Sequence, residues 1–231
     1  MKKILPLLIP ISFIFVLFLH GKSQGDLPSS RVHYQEGDLK PTETQKKVER
    51  LVFGILSNYH YRKIAVNDSL SSKIYDAYLK ELDPNKVFFI APDIEDLEKF
   101  RFTIDEQLSA GDLTSAFQIY NLYQTRTKER YAFINAILNK PFDFNADETY
   151  QPNRDKAVWA KSAEELNDFW RKDIKRQFLD WKIGGKADTT AVREMKERYA
   201  RSEKYMARTK SEDVFQLFMN AYTESIDPHT T

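Results

Sequence analysis

The sequence predicts an all-α protein: about seven helices in one irregular helical domain, preceded by a signal peptide. Three observations carry that prediction. Glycine is scarce, with 7 in 231 residues, and alternating β-branched runs are few. Apolar residues recur at the helical period of three to four. Cap-like residues and Asp-Pro stops punctuate those periods. With 42% apolar and 13% aromatic residues the chain can bury a substantial core, and 30% charge keeps the remainder soluble.

The first segment reads as an address. Residues 1–25 open with Lys2 and Lys3, run apolar from Ile4 to Leu19 and close on small and polar residues, the three-part layout of a secretory signal. Cleavage after Gly25 would put Ser23 and Gly25 at the small-residue positions and deliver an exported, periplasmic protein. The alternative is an uncleaved membrane anchor. Its apolar run falls short of the roughly 20 residues a spanning helix needs, and Pro6 and Pro10 weaken it as a helix. Residues 26–41 are polar and aperiodic and read as a flexible lead-in.

A helical domain is expected over residues 42–224. Thr42 with Gln45 forms a capping-box pattern, and Val48, Leu51, Val52, Ile55, Leu56 and Tyr59 fall on one stripe, read as the buried face of the first helix. A second helix starts at Asn67 or Asp68, carries Leu70, Ile74, Ala77, Tyr78 and Leu82, and stops at Asp83-Pro84, because a residue before proline is pushed out of the helical region. Pro92, with acids in the first turn, starts a third helix that Gly111 ends. Asp112 caps a long fourth helix, Leu113 to Leu138, with Phe117, Tyr120, Tyr131, Ile134 and Leu138 inward. Residues 142–158 lack periodicity and read as a connection. Ser162 with Glu165 opens a fifth helix bearing Leu166, Phe169, Trp170, Ile174, Phe178 and Trp181, which Gly184 or Gly185 stops. A polar helix from about Thr190 follows, and Thr209 with Glu212 offers a box before a last helix with Val214, Phe215, Phe218, Ala221, Tyr222 and Ile226.

Composition excludes several functions. Lys and Arg number 35 against 34 Asp and Glu; without Lys2, Lys3 and Lys22 the balance beyond residue 25 is 32 against 34, which gives no overall basis for holding nucleic acid. The absence of cysteine rules out disulfides, thiolate metal sites and a Cys nucleophile. His20, His33, His60 and His229 do not share ligand spacing and no HExxH occurs, so no metal and no cofactor are expected. No G-x-S-x-G or Ser-x-x-Lys is present, and Ser162 and Ser211 sit where helix N-termini are expected. No catalytic residue is assigned. The mixed charges of "REMKERYARSEKY" read as a solvated, ion-paired face, and the aromatic stripe of the fifth helix as core rather than a base-stacking platform.

Two segments are more specific. "ELDPNKVFFIAPDIEDLEKF" (Glu81 to Phe100) and "KSEDVFQLFMNAYTESIDPHTT" (Lys210 to Thr231) both end a helix at Leu or Ile followed by Asp-Pro. Together they resemble the helical N-terminal region of tail-specific, or C-terminal processing, proteases, and the similarity spans most of residues 42–231. In that family an Ile/Leu-Asp-Pro-His-Ser/Thr motif leads into a PDZ domain. Asp227, Pro228, His229 and Thr230 match this connector, so residues 225–231 are read as its start; Asp83, Pro84 and Asn85 match the upstream helix stop. Neither motif is catalytic in the family. The resemblance implies a serine protease with a Ser/Lys dyad in a later domain, which trims or degrades proteins from apolar C-termini. This chain contains neither that serine's Gly-rich context nor the dyad lysine. The implied partners are the protein's own PDZ and protease domains and protein substrates with apolar C-termini, with an adaptor protein as a further option. The alternative is an autonomous exported helical binding module that shares only ancestry with the protease region.

Overall fold

Thr42 caps the first helix as its sequence requires. Its hydroxyl accepts from the Gln45 N–H at 3.2 Å while the Gln45 side chain accepts from the Thr42 N–H at 2.8 Å, a closed capping box. The computed structural model describes residues 35–61, 65–154 and 156–227. The signal segment 1–25, most of the lead-in, and Pro228, His229 and Thr230 of the connector lie outside the described residues. Eight α-helices are present among the described residues: α1 (Glu43–Tyr59), α2 (Asp68–Leu82), α3 (Ala91–Leu97), α4 (Ile104–Ala110), α5 (Thr114–Ile137), α6 (Ala163–Ile183), α7 (Asp188–Met206) and α8 (Ser211–Ile226). No strand forms among them beyond one isolated bridge between Ile90 and Ala160. The all-α expectation holds, and no described helix is long and apolar enough to cross a membrane.

The extra helix arises where one continuous helix was expected between Pro92 and Gly111. The chain breaks instead into α3, a single 3-10 turn at Glu98–Phe100, and α4. The cause is tertiary. Ser71, buried on α2, donates from Oγ to the Arg101 carbonyl at 2.8 Å and accepts from the Ile104 N–H at 2.9 Å. Those bonds satisfy the backbone groups that a helix would otherwise pair internally. Arg101 braces the break through ion pairs to Glu98 and Asp76.

Two apolar cores share α5, which at about 1.5 Å per residue is long enough to enter both. The first is built from α2, α4, the N-terminal half of α5 and α8, around Ile74, Tyr78, Ile104, Leu108, Phe117, Phe218 and Tyr222. The second joins the C-terminal half of α5 to α6 and α7 around Ile134, Leu166, Trp170, Ile174, Phe178 and Met195, with Phe142 and Phe144 of the 142–158 connection packed against it. The aromatic stripe of α6 is therefore core, as expected. Helix α7 is less purely polar than its charge suggests, since Ala191 and Met195 are buried while the charged positions face outward.

Gly185, at φ +78°, is the left-handed residue after α6, while Gly184 is not. Helix α8 is capped one residue later than the Thr209–Glu212 pattern predicts: the Asp213 carboxylate accepts from the Lys210 N–H at 2.8 Å. Adjacent polar pairs at the same spacing made the register ambiguous. The last residues of the polar lead-in are held in place. Leu39 exchanges two 3.0 Å hydrogen bonds with the Asn121 side chain, and the Lys40 carbonyl accepts from Ser211 Oγ at 2.7 Å.

The largest departure concerns α1. The stripe expected to be buried is largely exposed at Val48, Leu51, Ile55 and Tyr59. The inward face carries Gln45 and Glu49, with Val52, Phe53 and Leu56 partly buried beside them. At about 100° per residue, the buried face is rotated by roughly a quarter turn from the face that periodicity selects.

Candidate functional site

The upstream motif is a buried staple. Asp83, 1% exposed, accepts three backbone hydrogen bonds: Oδ1 from the Val87 N–H at 2.8 Å, and Oδ2 from Phe88 at 2.8 Å and Phe89 at 3.0 Å. Burial pushes its carboxyl upward, against the pull of those donors and of Arg154. Lys86 closes the turn at φ +53°, with its N–H donating to the Asp83 carbonyl at 3.1 Å. The loop is then clamped from the far side. Arg154 donates to the Asn85 and Lys86 carbonyls at 2.8 and 3.0 Å, Lys86 Nζ donates to the Ala157 carbonyl at 2.7 Å, and Trp170 Nε1 to the Val87 carbonyl at 2.8 Å.

This geometry puts Phe89 into the first core and Val87 and Phe88 against the second. An edge-on contact of Phe88 with Tyr123 spans the two cores, and Phe89 packs edge-on against Trp159 within the first. The helix stop read from Asp83, Pro84 and Asn85 is thus the link between the two cores. Below it, Arg126 of α5 grips the buried Asp93 carboxylate with three contacts of 2.7–3.1 Å, and Asp93 in turn accepts from the Ile90 N–H. No local sequence signal announced this pair, because its members lie 33 residues apart.

The downstream motif lies at the end of α8. Asp227 caps α8 through its N–H to the Thr223 carbonyl at 2.9 Å, and its carboxylate lies 3.4 Å from the Tyr61 hydroxyl and 3.9 Å from His60 Nε2. The C-terminal ends of α1 and α8 therefore meet at one corner. Of the connector residues, only Asp227 is described.

Glu49 lies inside α1's seat. It is fully buried, and neither carboxyl oxygen has a hydrogen-bond partner among the described residues. Burial lifts its pKa from 4.5 to about 8, with Arg50 opposing and Asp112 adding to the rise. The buried Tyr222 hydroxyl of α8, which feels the Glu49 charge, is likewise unpartnered. Sequence reading missed Glu49 because it placed the other face of α1 inward.

The remaining candidates are surface features. A cleft of about 490 Å³ opens between α2, α5 and α8, with Tyr120, Tyr123, Met206 and Leu217 among its apolar lining and Glu81, Arg208 and Asp213 among its charged lining. Asp68, Asp105 and Glu106 bring carboxylate oxygens within 4.8 Å of one another at the N-termini of α2 and α4. A hydrogen bond with Asp105 raises the Glu106 pKa. Ser162 and Ser211 serve structure: Ser162 Oγ accepts from the Glu165 N–H at 3.3 Å, and Ser211 Oγ donates to the Lys40 carbonyl at 2.7 Å and lies 2.9 Å from the Gln45 side chain.

Residues 52–231 match a family profile described as "Tail specific protease N-terminal domain". The chain is also similar to the tail-specific protease of Haemophilus influenzae, at 34% identity over 177 residues. That match covers 76% of this chain and 26% of the relative, so the chain spans about a quarter of the relative's length.

Proposed function

Given that the chain belongs to the tail-specific protease N-terminal domain family, we propose that it is the non-catalytic helical scaffold of an exported Ser/Lys protease that cuts proteins from their apolar C-termini. The supporting observation is the family match, which runs through both Asp-Pro segments. The fold agrees with a scaffold role. Asp83 fixes two cores to each other, while Asp227 delivers the chain to the surface at a corner shared with α1. In this reading the PDZ and protease domains follow the connector, and the signal in residues 1–25 sends the protein to the periplasm. Protein substrates or an adaptor would dock on helical surfaces, for which the cleft between α2, α5 and α8 offers tyrosines and Leu217 beside charged rims.

The test compares the full-length gene product with the 231-residue chain on an unfolded substrate bearing an apolar C-terminus. Cleavage is expected from the longer protein, lost on replacing the downstream serine, and none from the shorter. Serine-dependent cleavage by the 231-residue chain overturns the scaffold role. A gene that ends at codon 231 favours the autonomous binding module.

A further inference from the structure

Helix α1 carries two polar side chains into the core and leaves part of its oily stripe in water. Gln45 and Glu49 are buried, whereas Leu51 is 64% exposed and Tyr59 83%, with Val48 and Ile55 less open but still exposed. Positions 48, 51, 55 and 59 stack along one line of the helix, a stripe of about 16 Å at 1.5 Å per residue. Tyr61, also exposed, prolongs it beyond the helix end. Singly exposed apolar residues are ordinary, but a contiguous run of four to five on one helix marks a contact surface. On the inward face Val52, Phe53 and Leu56 pack against the core beside the unpartnered Glu49 carboxyl, so the same helix carries a second apolar line that the core does not cover.

The position of Asp227 indicates what covers the stripe. Its carboxylate sits 3.4 Å from the Tyr61 hydroxyl, so the polypeptide leaves α8 at the end of the exposed stripe. The family profile continues through residue 231, and the Haemophilus protein is about four times as long as the portion that matches. A following domain would therefore start within a few residues' reach of this surface, at an effective concentration that favours even a small apolar contact.

We propose that the stripe Val48, Leu51, Ile55, Tyr59 and Tyr61 is the intramolecular seat for the polypeptide that follows residue 227 in the full-length protein. The inference rests on the reading of this chain as the N-terminal domain of a longer protease. Docking would bury the apolar face that the isolated domain leaves wet, and would fix the direction of the chain at the His60–Tyr61–Asp227 corner.

Photo-crosslinking in the full-length protein tests it. A benzophenone amino acid at position 51 or 55 should, on irradiation, give intramolecular products joined to peptides beyond residue 231. The same probe at Leu179, an exposed apolar position on α6, should not. Products joined to residues 1–34, products joining two copies, or yields no higher than at Leu179 would each overturn the proposal. As a second measurement, the pair L51D/I55D should leave the melting temperature of the 231-residue chain unchanged, because both side chains are exposed there. In the full-length protein it should raise the rate of proteinase K cutting in the segment just after residue 227 about tenfold, through local opening; no change in that rate counts against the seat. The parent reading fails by a separate result, namely a full-length protein without serine-dependent cleavage. Retained cleavage with cross-links elsewhere removes only the seat.

Discussion

Asp83 and Glu49 are both hidden from water, and they show opposite ways of burying an acid. Asp83 is 1% exposed and holds three backbone N–H groups of the loop that follows it. Glu49 is fully buried without a hydrogen-bond partner among the described residues, and its pKa rises to about 8. The first acid organises its surroundings; the second is carried inward by the helix that bears it. A buried polar group stabilises only when its bonds are made, and otherwise it charges the fold its desolvation. The satisfied acid marks the rigid junction of the domain, and the unsatisfied one lies beneath the helix whose outer face is exposed.

The strongest way to break this contrast is Asp83→Ala. It would leave the Val87, Phe88 and Phe89 N–H groups without their acceptor inside the junction, at a cost of about 3–5 kcal/mol. Denaturant unfolding measures it directly. A loss below about 1 kcal/mol would mean that the aromatic contacts alone hold the loop. Asp83→Asn keeps one acceptor oxygen but turns an NH2 group toward the donors, so it should fall between the alanine variant and the parent.

Glu49→Gln should act in the opposite direction. The folded state keeps the Glu49 proton up to about pH 8, whereas the unfolded chain releases it near 4.5. Between those values the folded state binds more protons, so stability is fullest below about pH 4.5 and falls as pH rises toward 8, at up to about 1.4 kcal/mol per pH unit. Glutamine is neutral throughout. The variant should match the parent at pH 5 and exceed it by about 3 kcal/mol at pH 8, with a flatter profile. Melting curves across that range decide it; parallel profiles would show that Glu49 is already ionised in the folded state.

How far the sequence anticipated this structure depends on whether a feature is local. The Thr42 box, the Asn67 cap, the stop at Asp83-Pro84, the Ser162 cap and a glycine stop after α6 were legible because each is settled within a few residues. The rotation of α1 was not. Periodicity identifies an oily stripe but assumes that the core claims it, and here Gln45 and Glu49 occupy the inward position. The break between α3 and α4 was hidden for a related reason, since Ser71, which makes it, is about 30 residues away. Of the candidate site, the motif at Asp83 was readable as a helix stop, but its three-amide grip and the meeting of Tyr61 with Asp227 need the folded chain.

A smaller effect sharpens the description of α1's seat. Gly111 takes φ +68° at the end of α4, and a Cβ there would lie 2.5 Å from the Arg50 side chain. Gly111→Ala therefore meets both the left-handed penalty and a neighbour, although the Arg50 stem can swing aside. A cost of about 1–2 kcal/mol is expected. Amide exchange should quicken in α1 more than in α6. Equal quickening would argue that α1 is as firmly held as the rest of the fold.

Asp227→Ala should have the smallest effect of all, and its smallness is informative. The motif at this helix end is the same Asp-Pro as at residue 83, yet its carboxylate makes a long 3.4 Å approach to Tyr61 and lies 3.9 Å from His60. The Asp227 and His60 side chains are largely shielded, but contacts this long are weak, about 0–1 kcal/mol each. In the 231-residue chain the variant should shift stability by less than about 1 kcal/mol while speeding amide exchange at residues 59–61. In the full-length protein the same change should cost more, because the corner there would be covered and its bonds shielded from water. Equal costs in the two proteins would mean that the corner stays open. The two Asp-Pro ends would then differ only because "KVFFI" follows the first and gives it something to bury.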